Sequence, residues 1–424
     1  MNTVSIHPQR TLLTQMLHER ILPVFSPPFI VRYYIFTVPE TAKNVERLWI
    51  DSIAKDAEQS SDGGKFIHSN SDETLIFERH GEFSTYFQFR QLEQEDIDNN
   101  DKYAFGSLND TQHPWIGADS GDLFRNVEFI FTNKLPDDNV INKIMHLSNG
   151  VSCDVFDKKA RIWTDFYRHE DDAGRVLVYC DNLKNDEASR LLQTLIEIGQ
   201  YRKLALLGFP IAREKLGWLK SAEDKLNNIT TELDQNTTPQ NEILNHITKL
   251  SAEVESAINE VRFRFGATEA YYRLTKDRLK TLRESPIDGY STMQQFIERR
   301  LTPAMRTCEA TKNRLQDLSE RIGRVNDLLR TRISISLELQ NQELLKSMNK
   351  RSELQVKLSE LVEGLSIFAI GYYIFNLLKY FLESLFPHHE EMLHKLNAPL
   401  IACILAAGWL FINMRKKSIK GEKD

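Results

Sequence analysis

GLSIFAIGYYIFNLL, residues 364–378, is an apolar run in a chain that is otherwise polar. It continues through Lys379 into YFLESLF, and a second apolar run, APLIACILAAGWLFINM, covers 398–414. A helix needs about 20 apolar residues to cross the hydrocarbon core of a bilayer. The first run holds eight Leu, Ile or Phe between 364 and 378. At roughly −0.3 to −0.6 kcal/mol each, they favour insertion by about 2–5 kcal/mol. Lys379 opposes insertion by about 3 kcal/mol at the bilayer centre, but it lies near the end of the run, where its stem reaches the interface. The two runs predict a C-terminal two-helix transmembrane hairpin, with helices over 364–386 and 398–414 and a short external loop over 387–397. A pair of buried core helices is the competing reading.

Charge orients the hairpin. Arg415, Lys416, Lys417 and Lys420 lie in the basic tail, 415–424, and Lys346, Lys350, Arg351 and Lys357 precede the first run. The connecting PHHEEMLHKLN has one Lys and two Glu. The positive-inside rule therefore places both termini in the cytoplasm. The N-terminal MNTVSIHPQRTLLTQMLHER has no basic start followed by an apolar core, so it does not read as a signal peptide. The four cysteines, Cys153, Cys180, Cys308 and Cys403, show no metal-ligand spacing. They read as reduced, buried thiols, which fits a reducing compartment.

The body in front of the hairpin is long enough for two or three domains. A mean hydropathy of −0.42 excludes a polytopic membrane protein. Residues 1–185 carry a charge balance of −10 and the remainder +4, which argues against a nucleic-acid surface on the front half. FIVRYYIFTV (29–38), NVEFIFTN (126–133), VSCDVFD (151–157), ARIWTDFYRH (160–169) and RVLVYCDNL (175–183) read as strands. ETLIFERHGEFSTYFQFRQL (73–92) reads as one bent strand or a hairpin around Gly81, and QSSDGGK as a loop. With helices over about 41–56 and 137–147, this predicts an α+β cytoplasmic domain over 1–185.

After Asn185 the apolar period changes to that of a helix: Leu191, Leu192, Leu195, Ile198, Leu204 and Leu207. A helical, coiled-coil-like stalk is expected over 186–363, divided near Pro210 and around SPIDGY (285–290), with separate helices over 239–264 and 268–284. Leu354, Leu358, Leu361 and Leu365 repeat at 4-3-4, a seam suited to helix–helix packing between copies of the chain.

Several stretches resemble one family: HPQRTLLTQMLHER, FERHGEFSTY, YRKLALLGFPIAREKL, FRFGATEAYY, ERRLTPAMRTC, LLRTRISISLELQNQELLKSMNKR and VEGLSIFAIGYY. They are similar, in order and over nearly the whole chain, to the proteobacterial uncharacterized membrane-anchored protein family, domain of unknown function 3422. The family's run continues with Arg-Pro after the first of these stretches' His18, where this chain has Glu19-Arg20-Ile21. The resemblance implies a two-helix anchor and a cytoplasmic body in the bacterial inner membrane, and supplies no activity.

Candidate chemistry is sparse. Glu78, His80 and Glu82 alternate, so on a strand all three project from one face. A carboxylate–imidazole–carboxylate row suits a divalent metal or acid/base work, although the wet face of a sheet carries the same residues. His7, Arg10, His18 and Glu19 gather on an N-terminal helix, as a docking face. His388, His389, Glu390, Glu391 and His394 fill the connecting loop, as a polar connector or a cation attractor. Asn376 and Lys379 are polar groups of the first membrane segment, with Asn376 as helix–helix glue. No phosphate-binding glycine loop, zinc-protease motif or nucleophile elbow is present. The reading is a non-enzymatic, oligomeric, membrane-tethered scaffold or sensor with no resident cofactor and no nucleic-acid partner. The alternative is a divergent relative of CorA-type divalent-cation channels, which share the layout but carry Gly-Met-Asn where this chain has GYYIFNLL. A metal-dependent activity at Glu78, His80 and Glu82 is a third.

Overall fold

The strand that organises the molecule is β1 (Phe29–Thr37), FIVRYYIFT, buried over its first eight residues. Apolar and aromatic residues at every position except Arg32 and Thr37, rather than at alternate ones, mark a strand covered on both faces. In the computed structural model of the chain the described residues are 22–39, 41–53, 58–59, 65–69, 73–93, 121–145, 150–385 and 401–410, with isolated positions outside these runs. They fall into two compact units, 1–325 and 326–424.

The first unit is built on a ten-stranded sheet. After β1 come helix α1 (Lys43–Ile53) and strands β2 (Glu58–Gln59), β3 (Lys65–Ser69), β4 (Glu73–Arg79), β5 (Phe83–Gln91) and β6 (Asp122–Thr132). Helix α2 (Asp138–Ile144) leads to β7 (Val151–Val155), β8 (Ala160–Thr164) and β9 (Gly174–Cys180). Three long helices follow, α3 (Asn185–Leu206), α4 (Gly208–Gln235) and α5 (Gln240–Leu282), then the short β10 (Ser285–Pro286) and α6 (Met293–Leu385). The order across the sheet is β10-β7-β8-β9-β6-β1-β5-β4-β3-β2. The β6–β9 pair is parallel and the other pairs are antiparallel. Both edges end in two-residue strands, one carrying Pro286, which leaves little unpaired backbone to recruit another chain.

Alternation along β1 assigns its two faces. Ile30 packs with Ile130, Ile141, Ile144 and Trp163 around α2, and Tyr34 and Phe36 pack with Ile50, Phe77 and Tyr86 around α1. The other face meets α3, where the Tyr33 hydroxyl donates to Gln200 Oε1 at 2.7 Å. Helix α5 lies along α3, stacking Tyr271 on Tyr201 with ring centroids 5.9 Å apart. α5 passes close to the first residue of α4: a Cβ on Gly208 would stand 2.4 Å from Thr268 Oγ1. Pro210 sits in the first turn of α4, where its missing N–H costs nothing.

The structure resolves one open sequence expectation and changes others. The stretch 73–92 is a hairpin, β4–β5, turning through residues 80–82. Two strands, β2 and β3, flank the segment read as loop, because Phe66 and Ile67 pair with Phe77 and Ile76 across the ladder. The helices expected at 239–264 and 268–284 are one 43-residue helix, since Gly266 does not interrupt a stripe of eleven buried residues from Ile243 to Leu282. The helical stretch expected as a stalk over 186–363 divides at 325/326 between the two compact units.

In the second unit, α6 continues to Leu385, and every residue from 337 to 363 is exposed. A short apolar helix, α7, covers Ile401–Leu410. The expected external loop and basic tail, including His388, His389, Glu390, Glu391, His394, Arg415, Lys416, Lys417 and Lys420, lie outside the described residues. So does most of the N-terminal docking helix, including His18 and Glu19.

Candidate functional site

The β4–β5 turn separates the three residues of the sequence-predicted row. Glu78 lies on β4, and its carboxylate stands 3.8 Å from His80 Nε2. His80 follows the last residue of β4, donates its backbone N–H to Phe83 O at 2.9 Å and stacks its ring on Phe83. Burial pushes the imidazole down to about 4, so it is neutral near pH 7. Glu82 instead accepts from Arg264 Nη1 of α5 at 3.0 Å. Among the described residues, no group of three His, Cys, Asp or Glu stands in a metal-holding arrangement. The turn thus joins Glu78 to His80 and sends Glu82 to α5.

A different cluster stands out for its charge. A cavity of about 290 Å³ opens at the N-terminal ends of the parallel strands β6 and β9. Its wall holds five cationic side chains, Arg125, Arg168, Arg175, Arg202 and Lys203, and one carboxylate, Asp172. Arg168 pairs with Asp172. Arg175 reaches Asp171 Oδ2 at 2.7 Å and donates to Ile144 O at 3.1 Å. Its Nε also lies 3.6 Å from Glu128 on β6. Arg125, Arg202 and Lys203 have no ion pair among the described residues.

The backbone fixes each of these three. Arg125, 6% exposed, crosses α3 at Gly199, where a Cβ would fall 1.9 Å from its guanidinium; Nη1 donates to Ile196 O at 3.2 Å. Lys203 donates to Phe124 O at 3.1 Å. Arg202 stacks over the Phe166 ring, 4.3 Å from its centroid, and Phe166 stacks in turn on Phe296 of α6. Phe166 adopts φ 52° and Asp172 φ 65°, left-handed conformations that a bulky side chain rarely accepts. Such backbone strain gathers at functional sites. Asn126 adds a donor: its Oδ1 accepts from Arg32 Nε at 3.1 Å, and its buried Nδ2 has no hydrogen-bond partner among the described residues.

The electrostatics record the crowding. Burial, and then Arg125, Arg202 and Arg168, push the Lys203 ammonium down to about 8. Burial and the neighbouring Arg125 push Arg202 down to about 9, and burial pushes Arg125 down to about 10. Positive groups in low dielectric repel one another strongly unless a negative charge joins them. Three cations of the wall, Arg125, Arg202 and Lys203, thus stand close together with no carboxylate partner among the described residues.

None of these cations belongs to a motif with a recognisable local spacing. A signal was there: each cation interrupts an apolar run, as Arg202-Lys203 does before LALLGF and Arg125 before NVEFIF.

In the second unit, Leu354, Leu358, Leu361 and Leu365 are 54–74% exposed. Asn376 and Lys379 are partly covered, while Tyr372, Tyr373 and Leu377 around them are exposed. An 18-residue window of α6 has a mean hydropathy of 1.6, and none of it is buried. Among the described residues, α6 is the helix long and apolar enough to cross a membrane.

These features define an α+β protein with a mixed sheet, a helical layer, a cationic cavity and one helix suited to membrane crossing. The chain belongs to the DUF3422 family, described as a protein of unknown function, whose family model matches residues 5–419. Neither a curated protein nor a solved structure matches it.

Proposed function

We propose that this chain is a non-enzymatic, oligomeric scaffold or sensor of the bacterial inner membrane, with its body and both termini in the cytoplasm. One observation carries the reading: the apolar window of α6 has none of its residues buried. In water, leaving one Leu or Phe exposed rather than buried forfeits roughly 1.5–3 kcal/mol. Leu365, Phe368, Ile370, Leu377 and Phe381 are all exposed in a single stretch, which only a lipid or protein environment relieves.

Two glycines support a hairpin of transmembrane helices. A Cβ on Gly371 would lie 3.4 Å from Ile404 Cγ2, and one on Gly408 would lie 2.9 Å from Ile367 Cγ2. Stepping four residues back on α6 matches four residues forward on α7, as in antiparallel neighbours. Small residues at such crossings let helices approach closely in lipid, where packing replaces the hydrophobic drive. The exposed leucine seam before the window supports self-association through residues 337–365.

Membrane partition tests the reading. Full-length protein should remain in membranes after carbonate washing, and a chain ending at Glu363 should be released. A reporter after Asp424 should be cytoplasmic and one at His389 exported. Full-length protein in the soluble fraction would remove the anchor.

A further inference from the structure

We propose that the cavity at the N-terminal ends of β6 and β9 binds a small organic phosphate, through the phosphomonoester dianion. The inference does not depend on the membrane reading, because every residue it uses lies in the first compact unit.

Three features of the cavity select this ligand. The first is charge: Arg125, Arg202 and Lys203 have no ion pair among the described residues, and the carboxylates nearby are engaged with Arg168 and Arg175. A phosphate monoester brings about −1.5 to −2 charges and three acceptor oxygens near neutral pH. That matches two guanidiniums, one ammonium and the unpartnered Asn126 amide better than a single carboxylate does. Guanidinium is also the group that grips phosphate in a two-pronged geometry.

The second is size. At about 290 Å³ the cavity holds roughly ten water volumes. That is more than a lone oxyanion fills, so the ligand has an organic body. The third is the wall: Phe124, Phe166 and Tyr167 line it beside the cations, giving that body an apolar and aromatic surface. The strained φ of Phe166 holds its ring under Arg202, which steadies the guanidinium before any ligand arrives.

The probe is phenyl phosphate, titrated calorimetrically into full-length protein in uncharged detergent at constant ionic strength, with thermal unfolding followed in parallel. Wild type should bind one equivalent and melt higher with the probe. Arg202→Met and Lys203→Met should each bind about 10- to 100-fold more weakly, the loss expected for one charge-assisted hydrogen bond. Without ligand, both variants should melt at or above wild type, because each removes a crowded positive charge. A purely structural cation would do the reverse, lowering the melting temperature and leaving affinity unchanged. Dihexanoyl phosphatidic acid separates the two sources of this chemistry. Binding of phenyl phosphate assigns a soluble phosphate ester, and binding of the short-chain lipid alone assigns a headgroup. If neither binds beyond the ionic-strength control, or if both variants bind as wild type does, the proposal is wrong. Carbonate partition reads the anchor separately, so either reading fails without the other.

Discussion

Replacing Glu128 with leucine should be among the most damaging single changes in the sheet. Glu128 sits on β6 opposite Arg32 of β1 and opposite Arg175 of β9, so three adjacent strands carry a row of alternating charge. Its two carboxylate oxygens stand 3.6 Å from Arg32 Nε and 3.6 Å from Arg175 Nε. The side chains of Arg32 and Glu128 are 0% exposed. Removing the carboxylate leaves two guanidiniums facing each other across β6, with Arg175 still held by Asp171. Breaking a buried pair from one side costs about 3–5 kcal/mol, because the remaining charge keeps its desolvation penalty. Against a total stability of about 5–15 kcal/mol, that is a large fraction. At about 2–4 °C per kcal/mol for a large domain, the melting temperature should fall by roughly 6–20 °C. Circular dichroism melts of Glu128→Leu, Arg32→Met and the double variant provide the assay. The double variant should recover much of the loss, since an apolar pair of similar volume replaces a buried ion pair at little cost. A Glu128→Leu melt within about 2 °C of wild type, or a double variant no better than the single, would refute the role given to this row.

Three further outcomes are expected. Gly208→Ala should destabilise the first unit by about 1–3 kcal/mol, since its methyl would enter the space of the buried, β-branched Thr268; urea titration of Gly208→Ala with and without Thr268→Ala reads it, and equal losses in both backgrounds would contradict the contact. His80 is neutral down to about pH 4 in the fold and to about 6.5 when unfolded, so between these values the unfolded chain binds the extra proton. Stability should therefore drop as pH falls from 6.5 towards 4, and His80→Phe should flatten that limb of the melting profile; an unchanged slope would show the imidazole titrating normally. Leu354→Asp with Leu358→Asp should lower the particle mass in detergent by light scattering while leaving membrane partition intact, because exposed leucines supply the expected contact between copies; equal masses would remove the case for self-association through this seam.

Local pattern was enough for much of the architecture. β1 was legible because a run of β-branched and aromatic residues, interrupted only by Arg32, suits a strand covered on both faces. The onset of helices at 185 was legible from the change of apolar period, and the membrane-competent part of α6 from the length of its apolar run. What sequence could not supply was any relation set by pairing at long range. The β6–β9 parallel contact joins residues nearly fifty positions apart, and it alone brings Arg125 and Asn126 beside Arg175. Arg202 and Lys203 join them because α3 crosses the sheet at Gly199, a coincidence of packing that no local spacing encodes. The Glu78, His80 and Glu82 row is divided for the complementary reason: alternation puts three residues on one face only while the chain stays extended, and the turn at residues 80–82 ends that condition. Sequence by itself determined most of the helices and strands and the apolar part of α6, since those follow from periodicity, but not β2, β3 or the continuity of α5. Tertiary structure decided where the charges meet, since a buried charge is tolerated only where distant residues or a ligand neutralise it.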